Sequence, residues 1–180
     1  MTRSTACAGA LLMALAILGS GCAVNPGVRQ IQTPEASLIF GYFDMEKSPY
    51  ALRTVFLTQN EKAGIVYRQS AMRTFTDGLF FMEDLPPMQY HVPFFMAGNL
   101  RHILSSSEED LFGVPPGTMV FLGSFEYVTS DEGGILTGEK FEMRPVKKPT
   151  EAEVLRMVAK RLEDPRWQER IAQRLKQLGR

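Results

Sequence analysis

The sequence has few of the residues that build metal centres and nucleophilic active sites. Its 180 residues include only two cysteines, Cys7 and Cys22, and two histidines, His91 and His102. Zinc sites in proteins are built mainly from thiolate and imidazole ligands, so a chain with so few cysteines and histidines is a weak candidate for one. The sequence also lacks a glycine-rich phosphate-binding loop and paired metal-ligand motifs. We therefore predict that the protein has no metal and no cofactor.

Neither charge is in excess, because 20 Lys and Arg residues balance 20 Asp and Glu residues. A dedicated nucleic-acid-binding protein carries a basic excess, so we expect no nucleic-acid partner. Only one long apolar run is present, which excludes a multi-pass membrane protein. The 44% hydrophobic and 22% charged residues are typical of one globular domain and exclude intrinsic disorder.

The single long apolar run lies at the N-terminus. It spans the 13 residues 6–18, follows a short polar segment that contains Arg3, and precedes small residues. A charged start, a short apolar stretch and small residues are typical of a secretory signal peptide. Thirteen residues are too few to cross a bilayer core of roughly 30 Å, which takes about 20. We predict that residues 1–21 form a cleaved signal peptide.

Residues 18–22, with the sequence Leu-Gly-Ser-Gly-Cys, resemble the lipobox of bacterial lipoproteins. The resemblance implies that Cys22 is acylated, becomes the first residue and anchors the chain in a lipid bilayer. Cys7 would leave with the signal peptide, so Cys22 would otherwise be an unpaired thiol in an oxidising compartment. Acylation accounts for that thiol. An ordinary signal peptide, cleaved elsewhere, is the alternative.

The residues after Cys22 indicate where the anchored protein resides. Ala23 occupies the position where lipoproteins retained in the inner membrane carry aspartate, so the resemblance favours the outer membrane, facing the periplasm. Residues 22–35 contain two prolines and a glycine but few large apolar side chains. We predict that they form a flexible tether.

The region 36–146 has the pattern of a β domain. Short apolar and aromatic segments alternate with turn residues such as Pro-Pro-Gly and Asp-Glu-Gly-Gly. The predicted strands are 37–43, 53–59, 64–68, 78–83, 89–96, 118–128 and 135–143. A parallel βαβ fold would need intervening helices, and none fits before residue 145. The pattern predicts a mainly β fold, an antiparallel β-sandwich of about seven strands, with 97–114 as a loop containing one helical turn.

One segment of this region is similar to a known family. Residues 77–92, Asp-Gly-Leu-Phe-Phe-Met-Glu-Asp-Leu-Pro-Pro-Met-Gln-Tyr-His-Val, resemble the signature of carboxypeptidase-regulatory-like, transthyretin-type sandwiches, although Met88 replaces the usual glycine of the turn. Phe80 and Met82 would share one strand face, and Tyr90 and Val92 would return to the core after the proline turn. Such domains are usually non-catalytic, so the resemblance implies no active site.

In the last segment, 147–180, the apolar residues recur every three or four positions, as in a helix. Thr150 and Glu153 form a capping-box pattern, and Asp164 followed by proline marks a second helix start. The predicted apolar stripes are Val154, Leu155, Val158 and Leu162 on the first helix and Trp167, Ile171, Leu175 and Leu178 on the second. We predict two amphipathic helices that pack on the sandwich, with Trp167 as a buried anchor.

The helical pair is basic, with ten Lys and Arg residues against five Asp and Glu residues. Three interpretations stay open: a solvated outer face, a surface for anionic lipid or polysaccharide, and a docking surface for a protein. Arg166, Arg170 and Arg174 recur every four residues and are the candidate partner surface.

Two catalytic or metal-binding constellations can be drawn from the remaining residues. A Ser-His-Asp triad would combine His102 and Asp110 with a serine of 105–107, but no Gly-x-Ser-x-Gly motif accompanies it. A Cu(I) site would combine His91 with Met82, Met88 and Met96. Methionine also fills irregular cores, and copper-chaperone spacing is absent. We predict no catalytic residue and no metal ligand.

The sequence thus predicts a membrane-anchored periplasmic lipoprotein that acts as a non-catalytic binding or envelope-assembly module. Its expected partners are the lipid bilayer, through acylated Cys22, and an envelope protein or glycan. The alternative is a periplasmic copper carrier or hydrolase that uses His91 and His102.

Overall fold

The computed structural model describes residues 27–60, 67–104, 110–130 and 140–179. The predicted signal peptide and Cys22 lie outside the described residues. In chain order the described residues form eleven strands and then two helices: β1 (Ser37–Asp44), β2 (Leu52–Asn60), β3 (Tyr67–Ala71), β4 (Arg73–Thr74), β5 (Leu79–Leu85), β6 (Gln89–His91), β7 (Phe94–Ala97), β8 (Leu100–Ile103), β9 (Phe112–Gly113), β10 (Met119–Ser130), β11 (Lys140–Val146), α1 (Glu151–Ala159) and α2 (Pro165–Leu178).

The strands form two sheets that face each other. The first sheet has the order β11-β10-β1-β5-β4. The second has the order β8-β7-β2-β6-β9, and β3 also pairs with β2. Within the described strands the pairs are antiparallel except β1 with β10, which are parallel. A parallel pair needs a long connection, and the chain between β1 and β10 builds the second sheet. The predicted mainly β sandwich with two C-terminal helices is confirmed.

The first sheet is buried on both of its faces. Leu38 and Phe40 of β1 pack against the helices, whereas Ile39 and Phe43 pack toward the second sheet, and each of the four is at most 4% exposed. Alternate residues of a strand point to opposite faces, so a sheet covered on both sides needs a continuous apolar run. This arrangement divides the core into an inter-sheet layer and a helix-facing layer.

Both helices begin as their sequence signals predict. The Thr150 hydroxyl accepts from the Glu153 N–H at 3.4 Å, and the Thr150 N–H donates to Glu153 Oε2 at 2.7 Å. The Asp164 carboxylate accepts from the Arg166 N–H at the start of α2. The helix-facing layer contains the buried side chains Val154, Leu155, Val158, Leu162, Trp167 and Ile171. None of the described helices is long and apolar enough to cross a membrane.

The described part of the predicted tether, 27–35, is bound to the sandwich. The backbone N–H of Val28 donates to Ser70 Oγ at 2.8 Å, and that of Ile31 donates to the carbonyl of Asp84 at 2.6 Å. Val28 also packs on the inter-sheet layer and Ile31 on the helix-facing layer. These residues of the predicted tether therefore contact both core layers, because their apolar side chains and amides find partners on the sheets.

The prediction of a loop over 97–114 is also wrong for most of its described residues. β8 pairs with β7 through the turn Gly98-Asn99, and β9 pairs with β6. Gly98 has φ +56°, a conformation that glycine adopts readily, and Gly-Asn is a known hairpin signal. Residues 105–109, which include most of the predicted helical turn, lie outside the described residues.

Three other predicted strands differ at their ends. The third predicted strand lies further along the chain as β3, and the last extends to Val146 as β11. The predicted strand 89–96 is divided into β6 and β7 by Val92 and Pro93. Proline cannot donate a ladder hydrogen bond, so the strand breaks there and both pieces pair with β2.

Candidate functional site

His102 lies in a buried aromatic cluster and not in the polar loop that the sequence suggested. Its ring stacks on Phe95 with centroids 4.8 Å apart and meets Phe141 edge-on at 4.7 Å. The residue is 7% exposed, and Nε2 is buried with no hydrogen-bond partner among the described residues. Burial lowers the pKa of His102, because the cationic form would lose its hydration. The neutral imidazole therefore acts as an aromatic core side chain.

His91 lies on the opposite face of the second sheet. Its neighbour Tyr90 is fully buried in the inter-sheet layer and donates its hydroxyl to the carbonyl of Pro86 at 2.8 Å. His91 therefore points outward, yet it is half-buried and its Nδ1 is enclosed. Burial lowers the pKa of His91, and the Asp110 carboxylate partly opposes this. The two imidazoles are on opposite sides of the sheet.

The structure does not bring the proposed copper ligands together. Met82 belongs to the inter-sheet layer, whereas Met96 alternates with the inward-facing Phe95 and Ala97 and so faces away from that layer. Met88 accepts a hydrogen bond from Gln59 Nε2 at 2.7 Å. In the described part of the chain, no three His, Cys, Asp or Glu side chains form a metal-binding group. The triad's serines, 105–107, lie outside the described residues.

The arginines of α2 differ in how their charges are balanced. Arg166 bonds Asp164, with Asp84 3.7 Å away, and Arg174 bonds Glu151 at 2.8 Å. Arg170 donates to the backbone carbonyl of Ala36 at 2.9 Å and lies over the Trp167 ring, 3.9 Å from its centroid. It forms no ion pair with any described residue. Burial lowers its pKa and the Arg166 charge adds to that effect, whereas the Asp84 carboxylate partly opposes it.

A polar cleft of about 310 Å³ adjoins these side chains, and we call it the arginine cleft. One wall is formed by Arg170, Gln173, Arg174 and Gln177 of α2, and the facing wall by Gly117, Thr118 and Met119 at the start of β10. The guanidinium groups of Arg170 and Arg174 and the amides of Gln173 and Gln177 supply hydrogen-bond donors, and Arg170 supplies a positive charge that, unlike that of Arg174, is in no ion pair with a described residue. Such a set is suited to a carboxylate, phosphate or sulfate group.

A second, larger opening lies between the two sheets, and we call it the inter-sheet cavity. It has a volume of about 430 Å³. The first sheet contributes Phe43, Phe80, Leu122, Phe125, Phe141 and Met143, and the second contributes Val92, Ile103, Leu104, Asp110 and Phe112. Asp110 is the one ionisable side chain among these described lining residues. Sequence reasoning missed this site, because its walls join residues far apart in the chain.

Comparison with known proteins assigns the chain neither a family nor a function. No family model and no curated protein matches the chain. A solved structure, that of a DUF3823 family protein from Parabacteroides merdae, is similar at 15% sequence identity with a TM-score of 0.31. The match covers 62% of this chain and 59% of that one. We draw no argument from this neighbour.

Proposed function

We propose that the protein is an acyl-anchored lipoprotein of the outer membrane, facing the periplasm, and that it is a non-catalytic binding module. Cys22, in its lipobox-like context, would carry the anchor. The resemblance of residues 77–92 to carboxypeptidase-regulatory-like sandwiches supports a domain that binds without catalysis. The arginine cleft is the surface that engages an acidic envelope glycan.

The observation that carries the binding assignment is the unbalanced charge of Arg170. Its guanidinium is half-buried, contacts a carbonyl and an aromatic ring, and forms no ion pair with any described residue; the Asp84 carboxylate acts on it only at longer range. A charge withdrawn from water is costly unless an opposite charge accompanies it. An anionic group in the cleft would supply that charge and accept from Arg174, Gln173 and Gln177. An arginine whose charge is already matched by a carboxylate, such as Arg166 beside Asp164, would gain less from an anionic ligand.

The geometry gives no support to the copper-carrier or hydrolase alternative. His91 and His102 lie on opposite faces of one sheet, so the two imidazoles are not brought together at one site. Each has a lowered pKa because of burial, as expected for side chains that fill space between neighbours.

Metabolic labelling with an alkyne analogue of palmitate tests the anchor. We expect the wild type and a Cys7→Ala variant to be labelled, because Cys7 would leave with the signal peptide. A Cys22→Ala variant should carry no label. Label on Cys22→Ala equal to that of the wild type, or none on the wild type, would overturn the anchor.

Titration calorimetry with polygalacturonate tests the cleft, with its fully methyl-esterified form as an uncharged control. We expect the full-length protein to bind the acid form and not the ester. Arg170→Gln should weaken binding by about tenfold or more, corresponding to at least about 1.4 kcal/mol. Arg156→Gln, the loss of an equal charge at an exposed position of α1, should leave affinity within about twofold. Equal losses in both variants, or binding of the ester, would refute a site at the cleft.

A further inference from the structure

We propose that the inter-sheet cavity is a binding site for a small amphiphile whose apolar body enters between the sheets and whose cationic amine pairs with Asp110 at the mouth. The cavity lies on the opposite face of the first sheet from α2 and the arginine cleft, and its ligand has the opposite charge. It is therefore a second site, independent of the proposed glycan surface.

The depth and lining of the cavity suit an apolar body. Its floor is formed by Phe43 and Phe80, which are 4% and 1% exposed, so it reaches the packed core. Its walls include Leu122, Phe125 and Phe141, which are only half-buried. Pockets for small molecules measure roughly 300–1,000 Å³ and are lined mainly by apolar and aromatic side chains, with a few polar groups that orient the ligand. The cavity meets each of these conditions.

The mouth of the cavity leaves apolar surface in contact with water. Ile103, at the end of β8, lines the cavity and is 60% exposed, the largest value among the exposed large hydrophobic residues of the described chain. Isolated exposed apolar residues are common. Ile103 is not isolated, because it adjoins the apolar lining of the cavity and enlarges the apolar surface that water contacts there. Burial of that surface by a ligand would be favourable at about 25 cal/mol per Å².

The charge at the mouth selects the head group. Asp110 is exposed, lines the cavity and forms no ion pair with any described residue. His91 lies on the outer face of the second sheet and does not line the cavity, and burial lowers its pKa although the Asp110 charge partly opposes this. The remaining described lining residues are apolar. A primary or secondary ammonium group complements this arrangement, whereas a carboxylate would be repelled.

Two ligands that share one body and differ in head charge test the proposal. The exported full-length protein, held in phosphatidylcholine nanodiscs, is titrated with 4-phenylbutylamine and with 4-phenylbutanoate, and binding is followed by saturation-transfer NMR against empty nanodiscs. We expect the amine to bind at least about tenfold more tightly than the acid. Asp110→Asn should reduce that preference to about twofold or less while the phenyl group still binds. Equal binding of both ligands by the wild type would overturn the assigned head group.

Two filling variants test the location. Met143→Trp and Leu122→Phe place larger side chains in the cavity wall and should each weaken the amine by about tenfold or more. Leu100→Trp makes a comparable enlargement on β8 at a position that is 47% exposed and does not line the cavity, and should bind as the wild type. Circular dichroism and a cooperative urea transition verify that each variant is folded. Unchanged affinity in both folded filling variants, or no saturation transfer to either ligand, would refute the site.

Discussion

The helix-facing layer and the inter-sheet layer share the first sheet, but they differ in how completely they close. In the helix-facing layer, Trp167 and Ile171 are each 1% exposed and cover the face of β1 and β5. The inter-sheet layer contains more residues, yet it opens into a cavity of about 430 Å³ beside β10 and β11. A layer that is closed by helices can be packed for stability, whereas one left open at a sheet edge has room for a ligand.

The two layers also differ in how their polar groups are satisfied. The Trp167 indole N–H donates to Asp84 Oδ1 at 3.0 Å, and Arg161 pairs with Asp77 at 2.7 Å across the end of α1. In the inter-sheet layer, His102 Nε2 has no partner among the described residues. A buried polar atom without a partner costs roughly 1–3 kcal/mol. We therefore expect the helix-facing layer to dominate stability.

Truncation of Trp167 is the largest expected effect. Trp167→Ala should lower the free energy of unfolding by roughly 3–5 kcal/mol, because a fully buried indole leaves a cavity. Phe141→Ala, at the half-buried wall of the inter-sheet cavity, should cost clearly less. Urea denaturation followed by circular dichroism measures both. Equal losses would remove the proposed difference between the layers, and a Trp167→Ala variant as stable as the wild type would mean that α2 contributes little.

Removal of the indole's acceptor sharpens the same comparison. Asp84→Ala should cost about 1–3 kcal/mol, because the Trp167 N–H stays buried without a partner and because Asp84 has φ +61°. Asp84→Asn keeps an acceptor and tolerates that backbone conformation, so its loss should be smaller. In a Trp167→Phe background the Ala and Asn variants should become more alike. If the stability difference between Asp84→Ala and Asp84→Asn is unchanged in the Trp167→Phe background, the hydrogen bond to the indole is not the source of that difference.

Loss of the α1 cap should have a moderate effect on the helix-facing layer. Thr150→Ala removes the hydroxyl that accepts from Glu153 and should cost about 1 kcal/mol. Thr150→Ser retains the acceptor and should stay within about 0.5 kcal/mol of the wild type. Thermal unfolding of the three proteins gives the comparison. A serine variant as unstable as the alanine variant would show that the threonine methyl group, and not the cap, matters.

The smallest effect concerns pH and belongs to the inter-sheet layer. The folded protein holds the pKa of His102 below the ordinary histidine value of about 6.5. At pH values between the folded and the unfolded pKa, the unfolded chain binds more protons than the folded protein. The free energy of unfolding is therefore greatest above about pH 6.5 and falls as the pH drops from the unfolded pKa to the folded pKa. His102→Phe should flatten that dependence while retaining an aromatic ring. His91 has a lowered pKa too, so part of the slope should persist. Urea titrations at several pH values measure it, and a slope unchanged by His102→Phe would contradict the assignment.

Local signals in the sequence were sufficient for the helical pair and for the main strands. The caps at Thr150 and Asp164 depend on residues within one turn, and each is formed as the spacing indicates. The same is true of the proline turn, after which Tyr90 returns to the core beside Met82. By contrast, the two histidines are close in sequence but lie on opposite faces, because a broken strand and a hairpin intervene. Acylation of Cys22 stays a prediction.

By itself the sequence determined which segments have the apolar spacing of a helix or of a strand, where the helices begin and which of their faces are apolar. These features depend on neighbouring residues and on backbone geometry. Only the tertiary structure decided what those faces meet. Arg170 reaches the Ala36 carbonyl, 134 residues away in the chain, and this contact leaves its charge beside the arginine cleft. The inter-sheet cavity joins side chains from both sheets. Such sites arise from the packing of distant segments, which no local pattern specifies.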